Sequence, residues 1–483
     1  MKGLLFSLAP GTSLRNPTAG YFLYTETPLR ALKINEPLYA RLQALQGGQE
    51  IPAAGKSGEA EGALVRTLLN LVSRGYLQIE ERPSLTKYPL VSAIIPVKDQ
   101  PADLEECLSS LGKLDYPAEC LEVIVVDDGS SEKVSLPAGG QEAKLLRLEE
   151  SQGPAAARNL GARNAQGSVL AFLDADCVAD ADWLKELLPF LEIQGMGGAG
   201  GYVASYFRST QLDRYEAVAS SLNMGQRLLF QNEATANFYV PTCNFLVRRQ
   251  VFDLMGGFKA ALEVGEDVDF CWRMRTKGYN LLYLPFGAVA HKHRNQLGKM
   301  LRRRFAYGTS EAVLGRLHPE KKKRFPRAVW AGLAFLSLLT AILILNPVPL
   351  GVIPLLLVGD VIAKDIALRR SGLNPGAVKI LLSSLRSFFS LANFASFHLV
   401  RYYLSLLLLV GIAWHPLWIF CGFALTLSST VDYFVKKPCL SYPCYLYFFA
   451  LESLAYQWGV FFGCLRQRSF RSYVPRFGPL PAA

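Results

Sequence analysis

Asp174 and Asp176, in the stretch Val169-Leu-Ala-Phe-Leu-Asp174-Ala-Asp176-Cys-Val, are the residues of this chain whose types and spacing most directly imply chemistry. An apolar strand runs straight into two carboxylates at i and i+2. Side chains on an extended segment repeat with a period of two, so both acids point the same way from the strand end. Two anionic groups on one side suit a hard divalent cation such as Mg²⁺ or Mn²⁺, which would bring a diphosphate with it. The same pair can also serve as an ordinary turn or helix cap.

The elements that must position this pair are visible on either side of it. Upstream, Val123-Ile-Val-Val-Asp127-Asp128-Gly-Ser is a second apolar strand ending in acids, and Val91-Ser-Ala-Ile-Ile-Pro96-Val97-Lys98-Asp99 is a third. Between the acidic pairs, Gly153-Pro-Ala-Ala-Ala-Arg158-Asn159-Leu-Gly161 starts on Gly-Pro and continues as a small-residue helix. Near-continuous apolar strands alternating with helical stretches such as 104–112 predict a mostly parallel sheet covered by helices, an α/β fold. Ligands of such sheets bind at the carboxyl ends of the strands, where all the polar residues just named lie.

The ordered set AIIPVKD, VIVVDDGS, GPAAARN, AFLDADC and GEDVDF resembles the family 2 glycosyltransferases, which have a GT-A fold, over residues 89–304. The resemblance implies a nucleotide-sugar donor, a divalent metal (Mg²⁺ or Mn²⁺) at the two aspartates, and inversion at the anomeric carbon. By resemblance, Asp176 is the direct metal ligand, while Asp174 contacts the ribose or a metal-bound water. Pro96, Val97 and Lys98, with Asp127, Asp128 and Gly153, surround the donor and its base. Arg158 reaches the base or a phosphate, where its planar fork suits bidentate contact, or else it forms a helix-surface ion pair.

The second half of the site begins at Gly265-Glu266-Asp267-Val-Asp269-Phe. An inverting transfer needs a base within reach of the acceptor hydroxyl. By resemblance to the family's acidic pair, that base is Asp267, with Glu266 as the alternative or as an acceptor ligand. Asp269 reads as a helix-face carboxylate. Trp272 on the same helix stacks on an acceptor sugar or packs in the core. In Ala288-Val-Ala-His291-Lys-His293-Arg294, His291 is the better match to the family's third metal or diphosphate contact, and His293 stays open. The Q-x-x-R-W box of processive members is missing, which argues against an extruding polymerase.

The 483 residues carry a net charge of +11 and are 51% hydrophobic, and mean hydropathy is positive, unusual for a purely soluble enzyme. Nine cysteines without CxxC or zinc spacing suit a reducing compartment, and the N-terminus does not read as a signal peptide. Residues 1–27 form a leading segment. Residues 28–83 read as helix–loop–helix–strand, a small winged-helix-like module whose RGYL ending resembles PqqD-type peptide-holding modules. A catalytic domain over 89–304 and a basic juxtamembrane linker over 305–327 follow.

Residues 328–465 are predicted to be hydrophobic helices embedded in a membrane, and 466–483 a basic tail. Apolar runs at 328–345, 348–363, 402–427 and 445–464 give an expectation of four spans, with 380–400 as an interfacial or packing helix. A buried helical domain of a soluble enzyme is the alternative. The basic run 321–327 places the catalytic domain in the cytoplasm by the positive-inside rule. The basic clusters adjoin apolar runs, as lipid-facing clusters do, and no nucleic-acid-binding motif is visible, so nucleic acid is excluded as a partner.

A narrower resemblance, to glycosyltransferases of the mycofactocin system, rests on RGYL, GPAAARN, FLDADCV, YVPTCNFLVRR, GEDVDFCWRM, AVAHKHR and YGTSEAVLGRLHP. It implies glucose transfer from UDP-glucose to a peptide-derived redox cofactor or its precursor. A transferase acting on a lipid-linked or cell-surface saccharide is the alternative, and a non-catalytic peptide- and membrane-binding scaffold the remote one.

Overall fold

The computed structural model describes residues 4–46, 59–136, 142–231, 238–321, 324–326, 328–474 and 476–478. The chain divides into two compact units. One comprises Met1–Phe6 and Glu50–Asn295, the other Ser7–Gln49 and Gln296–Ala483.

The first unit is built on an eight-stranded sheet in the order Leu229–Gln231, Asn280–Tyr283, Met196–Gly200, Asn244–Arg248, Val169–Leu173, Val91–Val97, Leu121–Asp128, Lys144–Leu148. Val91–Val97 pairs parallel with both Leu121–Asp128 and Val169–Leu173, and Lys144–Leu148 adds a further parallel edge. Asn244–Arg248 runs antiparallel between Val169–Leu173 and Met196–Gly200. This is the mostly parallel, GT-A-like α/β sheet expected. Ile94, Ile124, Leu170 and Phe172 are fully buried, as they must be where both sheet faces are covered. The helix Pro154–Asn164 lies so close to the sheet that a Cβ on Gly161 would meet the Ile94 side chain at 2.5 Å. Phe172, Phe252, Phe258 and Phe270 form one aromatic cluster, each ring stabilising the fold by roughly 1.5–3 kcal/mol.

Register brings the chemistry together. Val97 lies opposite Asp127, and Ile94 lies opposite Phe172, so Lys98, Asp127 and Asp174 emerge from one edge. A small second sheet, ordered Cys177–Ala179, Val289–His291, Val203–Ser205, sets His291 opposite Cys177.

The second unit begins with a three-stranded antiparallel sheet, Thr12–Arg15, Tyr21–Glu26 and Leu29–Ile34, followed by the helix Glu36–Gln46. Residues 29–34 are thus a strand, where the helix was expected to have begun by 32. Pairing with Tyr21–Glu26 claims their backbone, and Asn35, whose Oδ1 accepts from Leu38 N at 3.0 Å, starts the helix later. The stretch 28–83 is divided between the units, with Glu36–Gln46 in one and Glu59–Ser73 in the other. The expected boundary at 304/305 falls inside a single helix, Leu297–Leu317.

Among the described residues, three helices are long and apolar enough to cross a membrane: Ala377–Val410, Pro416–Lys436 and Tyr442–Gln467. The expectation of four spans is corrected here. The 328–345 run yields a helix of only 15 residues, Val329–Leu343, and the helix Val352–Arg370 carries five charged side chains from Asp360 to Arg370. The 380–400 segment is no separate interfacial helix, since it is continuous with residues up to Val410. The 402–427 run is broken between Val410 and Pro416, with the proline in the first turn of the second helix.

These helices expose large apolar side chains, among them Leu409, Trp418, Phe434 and Val435, a surface that calls for an apolar medium. Leu297–Leu317 packs against Tyr442–Gln467 through glycines. A Cβ on Gly459 would lie 2.1 Å from the Phe305 carbonyl, and one on Gly308 would lie 2.3 Å from that of Tyr456. Tyr402 and Tyr456 both donate to Glu311 Oε1, at 2.6 and 2.5 Å.

Gly459→Leu should therefore overpack this contact and destabilise the protein by about 1–3 kcal/mol, read as a lower thermal midpoint in detergent. Gly422→Ala, whose Cβ meets nothing within 4 Å, should leave the midpoint unchanged or raise it.

Candidate functional site

The carboxylates at the strand ends differ in what they already hold. Asp127, 1% exposed, accepts from Ser130 N at 2.9 Å and pairs with Arg147. Burial opposes its ionisation, but donors from Ser130 and the Arg147 guanidinium hold its carboxyl below the ordinary range. Asp128 accepts from Ser151 Oγ at 2.8 Å, Gln152 N at 2.7 Å and Gly153 N at 3.0 Å. Gly153 itself adopts φ 87 at the start of the helix Pro154–Asn164. Both acids shape the loops at the strand ends, and their oxygens already accept hydrogen bonds. Asp99, not singled out from the sequence, ties the neighbouring strand end to the same turn: its N–H donates to Ser130 Oγ at 3.0 Å and its carboxylate accepts from Ser131 N at 2.8 Å. Lys98 beside it is exposed, Pro96 half-buried and Val97 buried.

Arg158 occupies the centre. It is 3% exposed; one terminal nitrogen donates to Asp174 Oδ1 at 2.5 Å and the other to Glu266 Oε1 at 2.8 Å. Burial disfavours its charge, but Asp174, Glu266 and then Asp267 outweigh that and raise its pKa. The ion pair expected at a helix surface is instead this buried clamp. The pairing engages Asp174 Oδ1, and of the two acids it is Asp176 that lies in a group able to hold a metal ion among the described residues.

Asp176 is the under-satisfied acid. It is 7% exposed, and among the described residues its buried Oδ1 has no hydrogen-bond partner. His291 Nε2 stands 3.4 Å from Oδ1, and an Arg294 terminal nitrogen stands 3.5 Å from Oδ2. Burial above all raises its carboxyl above the ordinary value, with Asp174 and Asp103 adding to the rise against His291 and Arg294. Among the described residues, the ligand atoms of Asp176, Cys177 and His291 lie within 4.8 Å of one another. Burial, then Cys243, pushes the Cys177 thiol well up, which leaves oxygen and nitrogen donors to hold a hard ion. An orphaned buried oxygen facing an imidazole fits a divalent cation.

His293 goes elsewhere. Its Nδ1 lies 2.9 Å from Ser205 Oγ and its Nε2 lies 3.2 Å from Asp213 Oδ1, which pins the strand Val203–Ser205 to the helix Gln211–Ala219. Ser205, Glu216 and Asn223, with Val203 and Ala217, line a small recess beside His291, drawn from a region with no motif to mark it.

The acidic pair opens the helix Glu266–Thr276, with Gly265 left-handed before it. Its carboxylates sit in the first turn, where the helix dipole favours negative charge. Glu266 is buried in the Arg158 clamp, whereas Asp267 is half-buried, and its Oδ1 accepts from Val268 N at 2.7 Å. Asp269 is fully buried and paired with Lys259 at 2.9 Å and Arg273 at 2.7 Å, so it belongs to the scaffold. Trp272 is 8% exposed and packs inside, with little ring face left for an acceptor.

Two expectations follow. Arg158→Met should lower stability by roughly 2–4 kcal/mol in denaturant unfolding, somewhat under the value for a wholly buried pair because the Asp174 side chain is 29% exposed. Asp127 contributes stability that is present above its unfolded pKa and lost as pH falls through its depressed folded value. The wild-type thermal midpoint should accordingly drop below about pH 4, and Asp127→Asn should lack that component.

The Glycosyl transferase family 2 model matches residues 92–256. A pre-mycofactocin glycosyltransferase of Mycobacterium tuberculosis is 29% identical over 405 residues, covering 82% of this chain and 83% of the relative. Glycosyltransferase AglE of Haloferax volcanii is 29% identical over 256 residues, 51% of this chain and 82% of the relative. Among solved structures, a mannosyltransferase from Pyrobaculum calidifontis in complex with GDP-Man and Mn²⁺ aligns with 68% of this chain and 94% of its own, at 19% identity and a TM-score of 0.40.

Proposed function

We propose, from the premise that this chain carries a glycosyl transferase family 2 domain, that it is an inverting hexosyltransferase. It moves glucose from UDP-glucose to a peptide-derived acceptor, the mycofactocin precursor or cofactor. The observation that carries the reading is Asp176, a buried carboxylate with an unbonded oxygen opposite His291, at the strand edge where the donor loops converge.

In this reading Asp176 and His291 hold Mg²⁺ or Mn²⁺, which when bound neutralises the diphosphate and stabilises the charge on it by several kcal/mol. Pro96–Lys98 and the loops shaped by Asp127, Asp128 and Gly153 hold the nucleoside. Asp267 takes the proton of the acceptor hydroxyl as that oxygen bonds to the anomeric carbon. The bond from that carbon to the β-phosphate oxygen breaks on the opposite face, and its electron pair leaves with the nucleoside diphosphate. Arg158 keeps the helix of Asp267 in place by gripping Glu266 and Asp174 together. It is a positioning residue.

The acceptor assignment is supported by the M. tuberculosis relative, which is similar along most of both chains. The second unit adds a membrane context. Its three apolar helices lie in a bilayer in this proposal, with basic side chains such as Arg302 and Arg316 facing the cytoplasm together with the catalytic domain. Those helices equally favour a second acceptor, a lipid-linked saccharide. A purely scaffolding role is disfavoured by the unsatisfied Asp176.

Mass spectrometry of products from the full chain, with Mn²⁺, UDP-sugars and either the precursor peptide or a polyprenyl phosphate, tests the proposal. Hexose additions to the peptide support it, and hexose on the lipid alone sinks the peptide acceptor. Asp267→Asn should lower kcat by about 10²–10⁴-fold while nucleotide binding, read by calorimetry, is retained.

A further inference from the structure

The basic side chains near the strand ends differ in what they can give up. Arg147 is committed to Asp127 and the Ser130 carbonyl, and Arg158 to Asp174 and Glu266. Lys292 bridges Asp103 and Glu106, both at 2.8 Å. If any of these moved, it would strand a carboxylate with which it pairs. Arg294 is differently placed. Its side chain is 42% exposed, and among the described residues its ion pair is with Asp176, at 3.5 Å. Charge-assisted hydrogen bonds are shorter, about 2.7–2.9 Å, so the contact is loose. The other side chain at Asp176 cannot follow a ligand, because His291 is buried and held opposite Cys177 by strand pairing. Arg294 lies beyond the end of that strand, Val289–His291, next to exposed Asn295.

We infer that Arg294 binds the diphosphate of the sugar-nucleotide donor, moving to it from Asp176 when a divalent ion takes that carboxylate. The assignment rests on the donor-site reading proposed above. Its driving force is electrostatic. A dication on Asp176 repels a guanidinium sharing the same carboxylate. The donor meanwhile brings phosphate oxygens that a planar guanidinium can take two at a time. During transfer the electron pair of the broken anomeric bond stays on the β-phosphate oxygen, and Arg294 meets that growing charge. The interaction is therefore stronger in the transition state than in the ground state, and its loss lowers kcat as well as raising KM.

Calorimetric titration of the full chain in nanodiscs with Mn²⁺ alone, and with UDP, GDP and their monophosphates in Mn²⁺, tests this on the wild type, Arg294→Gln and Arg294→Lys. Mn²⁺ alone should bind Arg294→Gln more tightly than the wild type, because the ion no longer displaces a guanidinium. Whichever diphosphate binds the wild type should bind Arg294→Gln about 10–100-fold more weakly, its monophosphate should bind equally well, and Arg294→Lys should recover part of the loss. Opposite signs for ion and diphosphate cannot come from misfolding, which would weaken both. If Arg294→Gln binds the diphosphate as the wild type does, or loses the ion along with it, the role of Arg294 is overturned and the donor-site reading stands. A wild type that binds neither diphosphate in Mn²⁺ overturns that reading, and the role of Arg294 with it.

Discussion

The Arg158 guanidinium, 3% exposed and clamped between Asp174 and Glu266, is the interaction on which the rest of the site depends. Burying such a cation costs several kcal/mol unless carboxylates compensate it with good geometry. Here the compensation comes from two elements, one of them 108 residues distant in the chain. The clamp therefore joins the end of the Val169–Leu173 strand, the helix Pro154–Asn164 and the start of the helix Glu266–Thr276. The half of the site that would hold a donor cannot drift from the half that would activate an acceptor without leaving charge buried and unpaired.

Against that saturated clamp, Asp176 stands out by what it lacks. Asp127, Asp128 and Asp269 each accept donors from turns, backbone or basic side chains. Asp176 is buried too, yet among the described residues its Oδ1 has no hydrogen-bond partner, and His291 and Arg294 stand 3.4 and 3.5 Å away. A buried group left incomplete costs free energy, and proteins tolerate that cost mainly where a ligand completes the set. Hydrogen-bond satisfaction thus separates acids that look alike in the chain, Asp176 from the three whose oxygens are taken, among the described residues.

The second unit follows a different physical logic. Its inner contacts are close and specific: glycines allow backbones of Leu297–Leu317 and Tyr442–Gln467 to touch, and Glu311 gathers two tyrosine hydroxyls. Small residues and buried polar pins of this kind specify helix association where apolar burial alone cannot. The outer faces are apolar and exposed. A large water-facing surface of this composition would be unfavourable, and three of these helices are long and apolar enough to cross a membrane.

The strands at 91–97, 121–128 and 169–173, the acids at their ends and the helix after Gly153 were legible in the sequence, because uninterrupted apolar runs and a Gly-Pro start are local signals with local causes. The sequence likewise marked His291 and the acidic pair at 266–267 through their order along the chain. Tertiary structure alone decided what each side chain holds. It set Arg158 between two carboxylates, and gave His291 to Asp176 but His293 to Asp213. It made Leu29–Ile34 a strand through a partner strand, and it merged 380–400 into one long helix. In each case the deciding partner, or the continuity of the element, lies outside the window in which periodicity and propensity act, and local pattern carries no information about which distant group will satisfy a charge.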